Sequence, residues 1–228
     1  MTQILEARLG NITPQMEFVA KEEGVDVSWL VEKVAQGRIV IPKNIHRAIR
    51  RPCGIGEGLS VKVNANLGTS SDTCDLFMEL KKLSLAVEAG ADTVMDLSTG
   101  GDLREIRRNI LKNCPLPLGT VPIYQAVVET VEEKGGLVHL TPEHIFRVIE
   151  EQAREGVDFM TVHCGVTLSA LELLRRQGRA TDIVSRGGAF LATWMIYHER
   201  ENPLYTDFQR VLEIAKEHDI TLSLGDGL

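Results

Sequence analysis

Residues 141–164, TPEHIFRVIEEQAREGVDFMTVHC, read as a helix that runs directly into a strand, and this pairing decides the fold class. Thr141 supplies an N-cap oxygen and Pro142 the fixed φ that suits the first helical position. Ile145, Val148, Ile149, Gln152 and Ala153 then recur at i, i+3, i+4, i+7 and i+8, one face of a helix that packs on a sheet. Phe159 to Cys164 follows as a short β-rich run. Outward from this unit the pattern repeats. Val61 to Leu67, Thr93 to Ser98, Gly119 to Tyr124, Asp182 to Ser185 and Thr221 to Gly225 read as further strands, with amphipathic helical runs between them. Alternation of this kind is the mark of βα units around a parallel sheet.

Strand-to-strand periods of roughly 25 to 40 residues suit either an open doubly wound sheet or a (β/α)8 barrel. The barrel is favoured on two counts. Neither GxGxxG nor GxxxxGK[ST] follows the first strand, so the usual marks of a nucleotide-binding open sheet are missing. Polar residues also gather at the strand ends: Asn64 and Asn66, Asp96 and Ser98, Tyr124 and Gln125, His163, Ser185 and Arg186, and Asp226. In a barrel these ends converge on one mouth. The expected fold is therefore α/β, a TIM-type (β/α)8 barrel truncated after its sixth strand, with residues 59–228 supplying the first six βα units and the remainder absent.

Residues 1–58 are expected to form a separate small helical region. Thr13-Pro14 starts one helix, with Met16, Val19 and Ala20 on its apolar face and Gly24 at its stop. Ser28 is the expected cap of a second helix carrying Leu30, Val31 and Val34, with Gly37 at its C-terminal end. Ile39-Val40-Ile41-Pro42 reads as a short strand, and Arg50-Arg51-Pro52 through Gly58 as a linker.

The 228 residues carry a formal charge of −7, which argues against a nucleic-acid partner. Ala189 to Tyr197, the longest nearly apolar run, is far short of the roughly 20 residues of a membrane span. The N-terminus has a helical rather than a signal-peptide pattern, so a cytoplasmic location is expected. Cys53, Cys74, Cys114 and Cys164 lie 21, 40 and 50 positions apart, so no CxxC presents a local metal site and the four read as buried or half-buried thiols.

Among the candidate site residues, Ser185-Arg186-Gly187-Gly188 leads into a helix. Two glycines, helical N–H groups and a guanidinium suit a phosphate or carboxylate; a plain tight turn with a surface arginine is the alternative. His163 reads as a hydrogen-bonding or packing residue more readily than as a metal ligand. Adjacent Cys164 points to the opposite face of the strand, which argues against a Cys/His nucleophilic pair. Asp96 and Asp226 suit either a general base or hydroxyl ligand, or a cap at a βα turn.

Five stretches in register resemble the phosphomethylpyrimidine synthase (ThiC) family of thiamin biosynthesis: Asn64-Ala65-Asn66-Leu67-Gly68-Thr69-Ser70, Thr93 through Gly100, Gly119 through Ala126, Ser185 through Gly188, and Leu222 through Leu228. The resemblance covers the whole chain and matches the compact form of these enzymes, without a long N-terminal extension. It implies a (β/α)8 barrel that rearranges 5-aminoimidazole ribonucleotide by radical chemistry to 4-amino-5-hydroxymethyl-2-methylpyrimidine phosphate. It also implies a 4Fe–4S cluster, S-adenosylmethionine, a zinc ion held by two histidines, and a homodimer. Carried over residue by residue, the substrate would be held by Asn66, Met95, Tyr124, His163, Ser185, Arg186, Gly187, Gly188 and Asp226. Arg186 suits the phosphate, Asn66 and His163 the ring nitrogens or amino group, Met95 and Tyr124 the walls, and Asp226 the ribose hydroxyls or, as the catalytic residue, a proton transfer. The family's cluster cysteines and metal-ligand histidines are expected beyond Leu228, so the 228-residue chain is expected to be inactive by itself. A 5-hydroxybenzimidazole synthase acting on the same ribonucleotide, and a non-catalytic nucleotide-binding homologue, are the alternatives.

Overall fold

The computed structural model describes residues 1–225 and 227–228. Three helices open the chain: α1 (Gln3–Arg8), α2 (Pro14–Glu23) and α3 (Val27–Ala35). Thr13 caps α2 by accepting from Met16 N, and Gly24 ends it with φ +67°, as Thr-Pro and glycine at these places dictate. The cap of α3 is Asp26 rather than the expected Ser28. Its carboxylate accepts from Trp29 N at 3.0 Å, and helix geometry has already begun at Val27. Leu30, Val34, Met16, Val19 and Ile39 form the core of this region. Strand β1 (Ile39–Val40) pairs antiparallel with β2 (Ile55–Gly56).

The remainder alternates: β3 (Asn64–Leu67), α4 (Leu76–Glu88), β4 (Thr93–Asp96), α5 (Leu103–Asn113), β5 (Leu118–Thr120), α6 (Pro122–Lys134), α7 (Pro142–Glu155), β6 (Phe159–Val162), α8 (Leu168–Gln177), α9 (Arg186–His198), α10 (Pro203–Thr206), α11 (Phe208–His218) and β7 (Thr221–Leu224). β3 to β7 form one parallel five-stranded sheet in sequence order. The fold is α/β, with a parallel sheet and helices.

Two expected strands are corrected. Asp182 to Ser185 is no strand: β6 pairs directly with β7, Phe159 opposite Thr221 and Val162 opposite Leu224, which leaves no place between them. That run offers the ladder only Ile183 and an exposed Val184, and Ser185 is taken up as the N-cap of α9. The sheet thus has five strands where six were expected. The run from Gly119 to Tyr124 ends as a strand at Thr120, because Pro122 opens α6 instead. A proline lacks the N–H a ladder needs and is pre-set for the first helical turn. Tyr124 and Gln125 therefore stand in the first turn of a helix.

Side chains alternate across the sheet. Ala65, Leu67, Val94, Leu118, Met160 and Val162 share the face covered by helices, where Ile106, Ile110, Ile145, Val148 and Ile149 pack on them. Asn64, Asn66, Thr93, Met95, Phe159 and Thr161 share the other face. Gly119 lies in their row because the Phe159 ring fills its place; a Cβ there would stand 2.1 Å from that ring.

A buried knot fastens the first segment to this sheet. Asp158, fully buried, ion-pairs with Arg47 and accepts from Asn44 N at 3.0 Å and Leu118 N at 2.8 Å. The Asn44 amide donates to the carbonyls of Ala153 and Val157 at 2.7 and 2.9 Å. Burial pushes the Asp158 carboxyl up to about 6 against the pull of Arg47. No helix among the described residues is long and apolar enough to cross a membrane.

Candidate functional site

An open cleft of about 760 Å³ lies beyond the C-terminal ends of β3 and β4. Asn66, Tyr124, Ser185 and Arg186, all expected site residues, line it. The local sequence explains each position. Asn66 is the last residue of the open sheet face on β3, directly opposite Met95 on β4. Tyr124 projects from the turn of α6 that Pro122 starts. Ser185 caps α9, its Oγ accepting from Gly188 N at 3.1 Å, which leaves the N–H groups of Arg186 and Gly187 to be met from outside the helix.

Arg186 is exposed, with its guanidinium 5.4 Å from the centre of the Tyr124 ring. Phe190 packs against the same ring edge-to-face, centroids 6.3 Å apart and planes at 81°, so the phenol has both a cation and an aromatic neighbour. Burial raises the Tyr124 hydroxyl above its ordinary value and the Arg186 charge opposes this, so the phenol stays protonated at neutral pH.

His163 is not part of the cleft lining. It lies just past β6, buried, beneath Gly187, where a Cβ would stand 2.5 Å from the imidazole. Its Nδ1 has no hydrogen-bond partner among the described residues, and burial holds its pKa below the ordinary value. The imidazole is therefore neutral near pH 7, with an unused polar atom under the N-terminal turn of α9.

Met95 shares the open sheet face with Asn66 but lines a separate cavity of about 660 Å³ together with Asn64, Thr93, Phe159 and Thr161. Gly188 packs at its N-terminal turn without lining the cleft. Asp226 lies outside the described residues. Asp96 faces the helices, buried, its Oδ1 accepting from Ser98 N at 3.0 Å and Ser98 Oγ at 2.5 Å; it caps its own βα turn. Gln125 is likewise drawn inward, accepting from Arg107 and Gln152 and donating to Glu129.

Sequence reasoning missed Lys82 and gave no role to Thr69, Ser70 or Thr99, all of which line the cleft. The Gly68-Thr69-Ser70 stretch was a visible signal. Lys82 gave none, because its place depends on how α4 docks beside β3.

The model of the radical SAM ThiC family matches residues 2–228. The chain belongs to this family. It is 58% identical over all 228 residues to a phosphomethylpyrimidine synthase of Moorella thermoacetica, covering 53% of that protein. It is 53% identical to 5-hydroxybenzimidazole synthase BzaB of the same organism, covering 54% of it. A phosphomethylpyrimidine synthase of Thermoanaerobacter sp. strain X514 is 56% identical, again with 53% of its length covered. The chain spans about half the length of the curated relatives it matches.

Membership of a radical SAM family implies a 4Fe–4S cluster and S-adenosylmethionine. The cysteines described here do not fit a cluster. Burial pushes the Cys53 thiol up to about 12 and raises those of Cys114 and Cys164, which keeps all three protonated, whereas a cluster needs thiolates. Cys74 is exposed, and no group of three or more His, Cys, Asp or Glu able to hold a metal occurs among the described residues.

Proposed function

We propose that the cleft binds 5-aminoimidazole ribonucleotide and that the whole protein is a phosphomethylpyrimidine synthase. The observation that carries this is the Ser185-Arg186-Gly187-Gly188 turn. It brings a guanidinium, helical N–H groups and the Tyr124 ring to one side of an open cleft beyond the strand ends. A ribonucleotide is a flat ring joined to a dianion, and these are the groups that suit each part. The phosphate meets Arg186 and the first turn of α9, the ring lies along Tyr124, and Asn66 supplies an amide to its polar edge. The neutral His163 contributes from below, its Nδ1 free for a hydrogen bond if the turn above it moves on binding. Met95 and Asp226 belong to the same reading, Met95 from the neighbouring strand.

The five parallel strands, in sequence order and with helices on one face, are read as the first five of a (β/α)8 barrel. Relatives about twice as long have the residues to complete it. On this reading residues 1–58 are a separate helical region, the enzyme is a cytoplasmic homodimer, and the cluster and zinc ligands belong to segments other than the described residues. S-adenosylmethionine, once bound, supplies the radical chemistry. The residues of this chain bind and orient the nucleotide.

A second reading is favoured by the 53% identity to a 5-hydroxybenzimidazole synthase, close to the 58% of the first relative. Anaerobic reconstitution of the intact gene product with S-adenosylmethionine and the ribonucleotide, with mass-spectrometric identification of the product, tests both. A hydroxymethylpyrimidine phosphate is expected. Appearance of 5-hydroxybenzimidazole would establish the second reading, and failure to bind the ribonucleotide would remove both.

A further inference from the structure

In a chain with a formal charge of −7, the charged side chains among the described lining residues of the cleft are Lys82 and Arg186; the carboxylate paired with Lys82, Glu79, is buried and does not line it. Local positive potential against an acidic background marks a place for an anion. Arg186 comes from α9 and Lys82 from α4, two helices about a hundred positions apart in the chain that both reach the cleft lining.

Lys82 is held in place. Its Nζ lies 2.5 Å from Glu79 Oε1, and the other oxygen of that carboxylate accepts from Gly68 N at 2.8 Å. The Glu79 side chain is only 2% exposed, whereas that of Lys82 is 46% exposed. One buried acid thus fixes both the loop that follows β3 and the Lys82 ammonium. Gly68 has φ +149°, and a Cβ there would stand 2.6 Å from Leu97 C and Ser98 N, so the loop has little room to shift. An ammonium has three donors and Glu79 takes one. Thr69, Ser70 and Thr99 line the same cleft.

We propose that Lys82, oriented by Glu79, is a second cationic contact for the phosphate of the bound nucleotide, reaching it from α4 while Arg186 reaches it from α9. The proposal rests on the nucleotide reading above and adds to it a residue that the strand-end pattern did not supply. Lys82 acts as a point charge and Arg186 as a fork, so the pair neutralises a dianion without requiring one geometry from both.

The test is titration calorimetry on the intact gene product with 5-aminoimidazole ribonucleotide and with its dephosphorylated riboside, for wild type, Lys82→Met, Lys82→Gln, Lys82→Arg and Arg186→Ala. Lys82→Met and Lys82→Gln should each weaken nucleotide binding by about 10- to 100-fold, the size of a charge-assisted contact, and leave riboside binding unchanged. Lys82→Arg should restore most of the loss. Nucleotide binding that is unchanged in both Lys82→Met and Lys82→Gln but weakened in Arg186→Ala would overturn the proposal and leave the nucleotide reading standing. Equal loss for nucleotide and riboside would also overturn it, since the lysine would then be shaping the cleft. Wild-type affinity in all variants would place the phosphate elsewhere and remove both.

Discussion

Replacing Gly187 by alanine sets two effects of opposite sign against each other. Gly187 is the second residue of α9, and glycine in a helix costs roughly 0.5–1 kcal/mol relative to alanine, so the substitution gains a fraction of that at a helix end. Against this, the new Cβ would stand 2.5 Å from His163 Cε1 and 2.8 Å from each ring nitrogen. That is about 1 Å inside an ordinary carbon contact of roughly 3.5–4.0 Å. The ring has no easy retreat: His163 is 4% exposed, and its carbonyl accepts from the buried Asn202 amide at 2.8 Å. Overpacking of this kind costs about 1–3 kcal/mol, so the clash wins and the net loss is about 1–2 kcal/mol. At ~1–2 °C per kcal/mol for a protein about twice this length, the melting temperature should fall by ~1–4 °C. Differential scanning calorimetry of the intact gene product would measure it. Gly165→Ala, where the Cβ meets nothing within 4 Å, serves as the control and should not melt lower. Adding Gly187→Ala to a His163→Ala background should cost nothing, because the obstacle is gone. A Gly187→Ala protein melting at or above wild type would refute the packing of His163 under the α9 turn.

Asp158→Ala leaves Arg47 without its carboxylate and the N–H groups of Asn44 and Leu118 without an acceptor, a loss of about 3–5 kcal/mol that a urea titration would register; a change below about 1 kcal/mol would contradict the knot described above. Burial pushes Asp219 up to about 6, above the roughly 3.9 of an unfolded chain, so the folded state holds its proton longer and stability declines as pH rises from about 4 through about 6. Asp219→Asn keeps an acceptor for Gln3 N and should flatten that part of the stability profile; an unchanged profile would count against it. His163 has the opposite sign: its folded pKa is lowered, so the unfolded chain takes up a proton first and stability declines as pH falls below about 6.5. His163→Gln should reduce that decline, and an imidazole titration followed by NMR should run below the ordinary value; a midpoint at or above it would be contrary to burial as the cause.

What the sequence made legible was local. Thr13-Pro14 and Thr141-Pro142 announce α2 and α7 because cap oxygen, proline and apolar period lie within a few residues of one another. Ser185 and the two glycines after it announce α9 in the same way. The errors came where one residue served two patterns. Pro122 sat inside a β-rich run yet began a helix, which moved Tyr124 from a strand end to a helical turn and kept it at the cleft. Asp182 to Ser185 had a β-branched pair, but pairing of β6 with β7 is a tertiary fact that no window of residues contains. Strand-end polarity was likewise an incomplete guide: Asn66 faces the open side, whereas Asp96, one residue beyond Met95, turns to the helices. Lys82 was invisible because its position depends on Glu79 reaching Gly68, 11 residues away.

The Asp158 knot also sets a timetable. Asn44 and Asp158 are 114 positions apart, so the buried carboxylate that fastens residues 44–47 is absent until the chain has been made to the edge of β6. At ~5–20 residues per second, a ribosome takes roughly 6–23 s to cover that interval. Through most of it the Asn44 amide lacks its acceptors on Ala153 and Val157 and Arg47 lacks its carboxylate, with only the Cys114 carbonyl arriving earlier for Arg47, while the strands β3 to β5 have all their own residues in hand. Sheet growth by adjacent βα units can therefore run ahead with synthesis, and the fastening of the first segment comes late, after closure of a loop longer than any within the sheet.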